Sequence, residues 1–183
     1  MKNAQSRRLS VGFSLIELLL VIGFIAGAMV LAFVTYPKVQ AANRANAEAQ
    51  RMIVISGGIK NLYGTAHNYQ TLTNTVLLKM KAIPDDMQSD VATGSITNAW
   101  GGAVVIGPDP SEKLRYQISQ DGVPRSECAK LGTSVAVNFV KLAVNGVSIF
   151  DRTASGGSID IDPSKVAEAC KDGSRNTMVF VSN

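Results

Sequence analysis

Histidine, cysteine and charged residues are all scarce in this chain of 183 residues. One His and two Cys leave little material for metal clusters or His-based catalytic sites, so we expect no metal and no other cofactor. Charged residues make up 17% and hydrophobic residues 46%, which excludes disordered, low-complexity and collagen-like chains. The net charge of +4 would by itself favour nucleic-acid binding. The length suits one domain, or one domain plus an appended segment.

The apolar residues are concentrated near the N-terminus. Residues 18–34 contain no charged or strongly polar side chain. A helix over residues 13–36 would be about 36 Å long, enough to cross a bilayer core of about 30 Å. A buried core helix is the alternative, but such helices seldom lack polar residues for so many turns. The run therefore predicts membrane insertion.

The flanking charges predict the orientation of this helix. Lys2, Arg7 and Arg8 precede the apolar run, and no acidic residue does. The positive-inside rule then keeps the N-terminus in the cytoplasm and places residues from 38 onward across the membrane. A cleaved signal peptide ending at residues 26–28 (Ala-Gly-Ala) is the alternative. The run is longer than such peptides require, and cleavage there would leave an exposed apolar end.

Glu17 is an unexpected carboxylate at the start of the apolar run. A charged side chain within a membrane costs about 2.5–3.5 kcal/mol or more, so such a residue is usually functional and needs a positive partner. No Lys or Arg lies within one helical turn of it, so the partner must come from elsewhere. The alternative is an interfacial Glu that reaches the headgroups.

The residues around Glu17 carry a family resemblance. A short basic leader is followed by Gly12, Phe13 and an apolar helix, with Glu17 four residues after Phe13. This order resembles the N-terminal signature of type IV prepilins and pseudopilins. The resemblance implies that a prepilin peptidase cleaves after Gly12 and that the new terminus at Phe13 is N-methylated. It also implies that Glu17 of one subunit pairs with the Phe13 ammonium of its neighbour and sets the axial register of a fibre.

The helix is expected to continue beyond the membrane. Gly23 and Gly27 have GxxxG spacing, which permits close helix approach but equally reflects tolerance of Gly in membrane helices. Pro37 predicts a kink at the membrane exit. An amphipathic stretch then follows, with Arg44, Glu48 and Arg51 predicted on faces other than the apolar one. The predicted apolar positions are Ala42, Ala45, Ala49, Met52, Ile53, Ile59 and Tyr63.

The remaining sequence predicts a small α+β head. We expect helices at residues 73–82, 126–144 and 164–171, and strands at 103–107, 114–119, 147–150 and 177–182. Short strands interrupted by helices indicate a long N-terminal helix with a mainly antiparallel sheet flanked by helices. The predicted organisation is a leader (1–12), a hydrophobic helix (13–36), its amphipathic continuation (37–64) and a globular head (65–183).

Cys128 and Cys170 both lie in the part of the chain predicted to be exported. An oxidising compartment favours a disulfide between them, worth about 4 kcal/mol by loop entropy. Two free buried thiols are the alternative. A bridge would bound a C-terminal region, residues 128–170, which pilins use as an exposed and variable surface.

Residues 75–85 and 96–102 indicate the subclass. They look like the matching parts of bundlin-type and toxin-coregulated-type pilins, the type IVb group. The leader of 12 residues and the Phe at position 13 are closer to type IVa pilins and pseudopilins. The resemblance implies the major subunit of a type IV pilus for adhesion, aggregation or conjugative mating. A type II secretion pseudopilin is the alternative, and a minor pilin is disfavoured because those often lose the equivalent of Glu17.

The resemblance also implies partners and a location. The partners are other copies of the chain, the prepilin peptidase, the assembly platform, its ATPase, an outer-membrane secretin and a host or bacterial receptor. The prepilin would lie in the inner membrane with its head in the periplasm, and the fibre outside a Gram-negative cell. Removal of the leader leaves a nearly neutral chain, so we expect no nucleic-acid partner.

The sequence offers only poorly supported candidates for catalytic residues. His67 lies in a polar loop, and a surface position is favoured over a general base. Asp85 with Asp86, and Asp160 with Asp162, could hold a cation, but such acids are more often solvated turn residues. No phosphate-binding loop or metal motif accompanies them. We therefore expect that the chain is not an enzyme.

Overall fold

A computed structural model of the chain describes residues 14–64, 68–154, 156, 160–173 and 175–183. The chain forms two compact units, residues 1–40 and 41–183. Helix α1 (Leu15–Tyr63) begins in the first unit and ends in the second. The predicted domain boundaries at residues 12, 36 and 64 stay predictions.

The second unit is built around an antiparallel sheet. Five strands lie in the order β3-β4-β7-β5-β6, and every neighbouring pair is antiparallel. A separate hairpin joins the short strands β1 and β2. The strands are β1 (Gln88–Asp90), β2 (Ser95–Thr97), β3 (Val104–Pro108), β4 (Tyr116–Val123), β5 (Lys141–Val144), β6 (Val147–Asp151) and β7 (Asn176–Ser182). The expected α+β class, with a long N-terminal helix and an antiparallel sheet, is confirmed.

Within its described residues, this unit also contains three short helices. They are α2 (Asn74–Lys79), α3 (Arg125–Val135) and α4 (Pro163–Ala169), with a 3₁₀ turn at Ala136–Asn138 after α3. Thr73 and Asp162 cap α2 and α4, each accepting a hydrogen bond from a backbone N–H of the first turn. Pro163 occupies the first position of α4, where its fixed φ fits the helix and its missing N–H costs nothing.

The core is formed by alternate strand residues and one face of α1. Ile106, Ile118 and Phe180 from three neighbouring strands are buried. From α1, Ala45, Ala49, Met52, Ile55 and Ile59 are buried at three- and four-residue steps. The predicted apolar face of α1 was therefore mostly right. Ile53, however, is largely exposed, because the buried face passes through Ile55 instead.

The prediction of one helix over residues 126–144 is wrong in its second half. α3 ends at Val135, and residues 141–144 form the sheet strand β5. Leu142 and Val144 are buried while Lys141 and Ala143 are only partly so, which is strand alternation. A two-residue turn follows, with positive φ at Asn145 (51°) and Gly146 (80°), and it closes the β5–β6 hairpin. The β1–β2 hairpin was not predicted either.

Candidate assembly site

Glu17 lies in the first turn of α1, with its side chain exposed. Its backbone N–H and that of Leu18 both donate to the carbonyl of Ser14, which starts the helix. A carboxylate in a first turn interacts favourably with the positive end of the helix dipole. Among the residues that the structure describes, Glu17 has no ion-pair partner. The site can therefore still receive a cation.

The apolar side chains that follow Glu17 are uncovered. Phe24 and Phe33 are 78% and 79% exposed, and most other large apolar residues up to Tyr36 are also exposed. Within the described chain, α1 is the helix that is long and apolar enough to cross a membrane, judged by length and composition alone. None of its most apolar window is buried. A bilayer or other copies of the chain must cover this surface.

The other predicted residues of this region have different outcomes. Gly12 and Phe13 lie outside the described residues, so cleavage, N-methylation and pairing with Glu17 stay predictions. Pro37 lies inside α1, and the helix is assigned continuously through it. The kink at Pro37 also stays a prediction.

Glu48 is the main polar group inside the second unit. Its carboxylate is fully buried, contrary to the expectation that it lies away from the apolar face. One oxygen accepts from Gln120 Nε2 at 2.8 Å, and the other from the Ala99 N–H at 3.2 Å and Arg51 Nη1 at 3.1 Å. Arg51 in turn pairs with Asp86 at 2.8 Å. α1 is thus tied to β4 and to the segment between α2 and β3.

Asn98 extends this network into the turn before β3. Its Nδ2 donates to Gln120 Oε1 at 3.1 Å and to the carbonyl of Asp121 at 2.7 Å. Its Oδ1 accepts from the backbone N–H groups of Trp100 and Gly102 at 3.1 and 2.9 Å. The segment at residues 96–102, which carries part of the subclass resemblance, therefore consists of the end of β2 and a turn that the Asn98 amide holds against β4.

Two glycines in this turn have distinct roles. Gly101 has φ of 78°, a conformation that favours glycine, but a Cβ there would meet open space. At Gly102, a Cβ would come within 1.8 Å of the Asp121 carbonyl oxygen, so only glycine fits against β4. The turn can pack directly on the backbone of the sheet for this reason.

The disulfide between Cys128 and Cys170 is present and joins α3 to the residue that ends α4. Asparagines support the same corner. Asn145 Nδ2 donates to the Ala169 carbonyl at 2.8 Å and to Asn176 Oδ1 at 2.7 Å. The Lys171 N–H also donates to Asn176 Oδ1, at 2.8 Å. The chain leaving α4 is therefore held by one covalent bond and by polar contacts.

Several titratable groups of the head have shifted pKa values, among them Tyr116 and Asp151. Burial raises the pKa of Tyr116, whose hydroxyl lies 2.6 Å from Ser56 Oγ of α1. Burial would also raise the pKa of Asp151, but hydrogen bonds from Thr153 and the Lys141 ammonium outweigh it and lower that pKa to about 2. Neither group belongs to a reactive constellation.

The weak catalytic candidates are not brought together. His67 lies outside the described residues. Asp86 pairs with Arg51, and Asp162 caps α4, so both acids have structural partners. Within the described ranges, no group of three or more His, Cys, Asp or Glu is arranged to hold a metal ion.

Known proteins similar to this chain agree with this architecture. Residues 42–183 match the family model described as PilS N terminal. The chain belongs to the PilS family of type IV pilins. Because the members of this family are structural fibre subunits, the chain is a pilin and not an enzyme.

Individual relatives support the same assignment. The chain is 27% identical over 170 residues to proteins named "Major structural subunit of bundle-forming pilus" from Escherichia coli O111:H- and from Escherichia coli O127:H6 (strain E2348/69 / EPEC). These alignments cover 88% of both chains in each case. The expected resemblance to the type IVb pilins is confirmed.

A solved structure shares the fold. TcpA, a type IV pilin from the Vibrio cholerae El Tor biotype, superposes with a TM-score of 0.59 at 17% identity, over 77% of this chain and 99% of that one. The type IVb pilin PilS from Salmonella typhi gives a TM-score of 0.48 at 21% identity, over 76% of this chain and 96% of that one.

Proposed function

We propose that this pilin is the major structural subunit of a type IV pilus, a fibre in which many copies join through the first half of α1. The exposed apolar surface that follows Glu17 carries this proposal. Such a surface is stable in a bilayer before assembly and in a fibre core afterwards, but not in water. The pilus relatives from Escherichia coli support the same role.

Glu17 supplies the specific part of the assembly reaction. Cleavage after Gly12 would create a new ammonium at Phe13, and Glu17 has no ion-pair partner in the described part of its own chain. In an apolar core, the two charges attract strongly, and either one alone is costly. Pairing between neighbouring subunits therefore sets their axial register.

The head is the part presented to the surroundings. The prepilin is anchored in the inner membrane of a Gram-negative bacterium, with its N-terminus in the cytoplasm and residues from 38 onward in the periplasm. A prepilin peptidase processes it, and an assembly platform, an ATPase and an outer-membrane secretin export the fibre. The pilus then serves adhesion, aggregation or conjugative mating through a host or bacterial receptor.

Mass spectrometry of sheared surface material, combined with electron microscopy, tests this proposal. We expect fibres made of a chain that begins at N-methyl-Phe13, with Cys128 and Cys170 oxidised. A chain that begins at residue 29 would instead indicate a cleaved signal peptide. Protein confined to the periplasm at natural expression levels would favour a pseudopilin over a pilin.

A further inference from the structure

A basic pocket lies on the head, at the start of α3. Its volume is about 410 Å³. Arg44 of α1, Arg125 in the first turn of α3 and Arg175 just before β7 line it together with Trp100. These residues come from distant parts of the sequence, so the fold itself gathers the three guanidinium groups.

The positive charge of the basic pocket is poorly neutralised within the chain. Arg125 pairs with Asp172, and both side chains are largely exposed. Among the described residues, Arg44 and Arg175 have no ion-pair partner. Three cations near one carboxylate repel one another, and an additional anion would relieve this repulsion.

Other hydrogen-bond donors accompany these cations. α3, a helix of 11 residues, begins at the same place, and its N-cap Pro124 provides no side-chain acceptor. Glu127 in the first turn is buried, accepts a hydrogen bond from Ser126 and does not line the pocket. The pocket is rich in donors and poor in acceptors, as an anion site is.

We propose that the basic pocket receives an acidic side chain from a second copy of this chain in the fibre. The inference rests on the proposed function. In a helical fibre of one subunit type, each surface of the head faces a different surface of another copy. From Phe13 onward the chain has 15 basic and 14 acidic side chains, so a local excess of positive charge must be balanced by a local excess of negative charge elsewhere.

Asp85 is the best complement on the head. Most acidic residues there are paired, hydrogen-bonded or buried; the exposed carboxylates without a partner in the described head are those of Asp85 and Glu168. Asp85 lines a groove of about 760 Å³ that also carries Lys81 and exposed Val54 and Val91, and Asp85 forms no ion pair with that lysine. An apolar rim of this kind favours burial by another protein.

Glu168 has weaker support. It lines a smaller groove of about 230 Å³, together with Lys165 one turn earlier on α4. This groove carries one exposed large apolar residue, Val147, against two in the groove of Asp85. Glu168 serves instead as the matched control for Asp85.

Charge reversal and exchange test the proposal in cells that assemble the full chain. Arg175→Glu and Asp85→Arg should each lower the yield of sheared fibres about tenfold, because each places like charges together. The double variant Arg175→Glu/Asp85→Arg should restore at least half of the wild-type yield. Lys113→Glu and Glu168→Arg, which change exposed charges outside both surfaces, should leave the yield unchanged.

A second pair of variants distinguishes loss of the contact from a folding defect. Arg44 lies on an exposed face of α1, so Arg44→Glu combined with Asp85→Arg should give the same loss and recovery. The Cys128–Cys170 bond and the total amount of pilin should match the wild type in every variant. Wild-type yield from both single Arg reversals, or no recovery in both double variants, would overturn the proposed contact. Absence of fibres from the wild-type chain would instead overturn the proposed function.

Discussion

Glu17 and Glu48 are two glutamates of the same helix, in opposite environments. Glu17 is exposed among apolar side chains and has no ion-pair partner within the described chain. Glu48 is fully buried and accepts hydrogen bonds from a guanidinium, a side-chain amide and a backbone N–H. In the second half of α1, the carboxylate of Glu48 has its partners within the chain. In the first half, the carboxylate of Glu17 has no ion-pair partner among the described residues.

The difference shows which part of the pilin is complete as a single chain. In the head, the buried carboxylate of Glu48 is matched by Gln120 and Ala99 from distant parts of the sequence, so folding alone satisfies it. In the first unit, both the carboxylate and the apolar surface need partners that another molecule supplies. Changes at Glu17 should therefore affect assembly, whereas changes around Glu48 should affect folding.

Replacement of Glu17 has the largest expected effect. Glu17→Ala should abolish fibres, because no carboxylate remains to pair with the neighbouring ammonium. Leader cleavage should be largely intact, and the unfolding temperature of the head should not change. Electron microscopy of sheared material and the mass of the cell-associated chain measure these effects. Normal fibres from this variant would contradict the expectation that Glu17 acts on assembly.

Replacement of Glu48 should act on stability instead. Glu48→Ala leaves Gln120 Nε2 and the Ala99 N–H without their acceptor and removes one of the two carboxylate partners of Arg51, and we expect a loss of about 3–5 kcal/mol. Urea unfolding of the full chain in detergent, followed by fluorescence of the single Trp, measures this loss. Glu168→Ala on the exposed side of α4 is the matched control, expected within about 0.5 kcal/mol of wild type. A similar stability for both variants would mean that the buried network contributes nothing.

The disulfide should have a comparable effect on the head. The double variant Cys128→Ser/Cys170→Ser should lose up to about 4 kcal/mol, since the unfolded chain is no longer closed into a loop. Wild-type protein treated with a reducing agent should unfold at the same urea concentration as this variant. If the variant is as stable as the oxidised wild type, the disulfide contributes nothing to the stability of the head.

Local patterns in the sequence predicted much of this fold. The apolar run, the helices predicted at residues 73–82 and 164–171, and the predicted strands at 103–107 and 177–182 depend on short-range signals. The hairpin after α3 also had such a signal in Asn145-Gly146. The helix predicted over residues 126–144 ends just before this turn, so it includes the residues that form β5. Period-2 burial of Leu142 and Val144 is too short to be distinguished from helical spacing without that turn.

The buried network could not be predicted from local pattern. Glu48 reads as a solvated helix residue because its partners at Gln120 and Ala99 lie 72 and 51 residues away. The basic pocket could not be predicted for the same reason, since Arg44, Arg125 and Arg175 meet only after folding. In both cases the position of the side chain depends on strand order, which the sequence alone does not provide.

Asp151 is a third carboxylate, and its exposure is intermediate between that of Glu17 and that of Glu48. It is 22% exposed, pairs with Lys141 across the β5–β6 hairpin at 2.9 Å, and has a pKa of about 2. The unfolded side chain titrates near about 3.9, so the unfolded state binds more protons between these values. This contribution to stability is present above about pH 4 and is lost as the pH falls to about 2.

Asp151→Asn should therefore lower stability by at most about 1 kcal/mol at pH 7, as is typical of a partly exposed pair. The variant and the wild type should converge as the pH falls from about 4 to about 2, because protonation then removes the same interaction from the wild type. Urea unfolding at several pH values measures this convergence. A constant difference over that range would mean that Asp151 acts through the packing of the hairpin. The charge of Asp151 would then contribute neither to assembly, as expected for Glu17, nor to stability, as expected for Glu48.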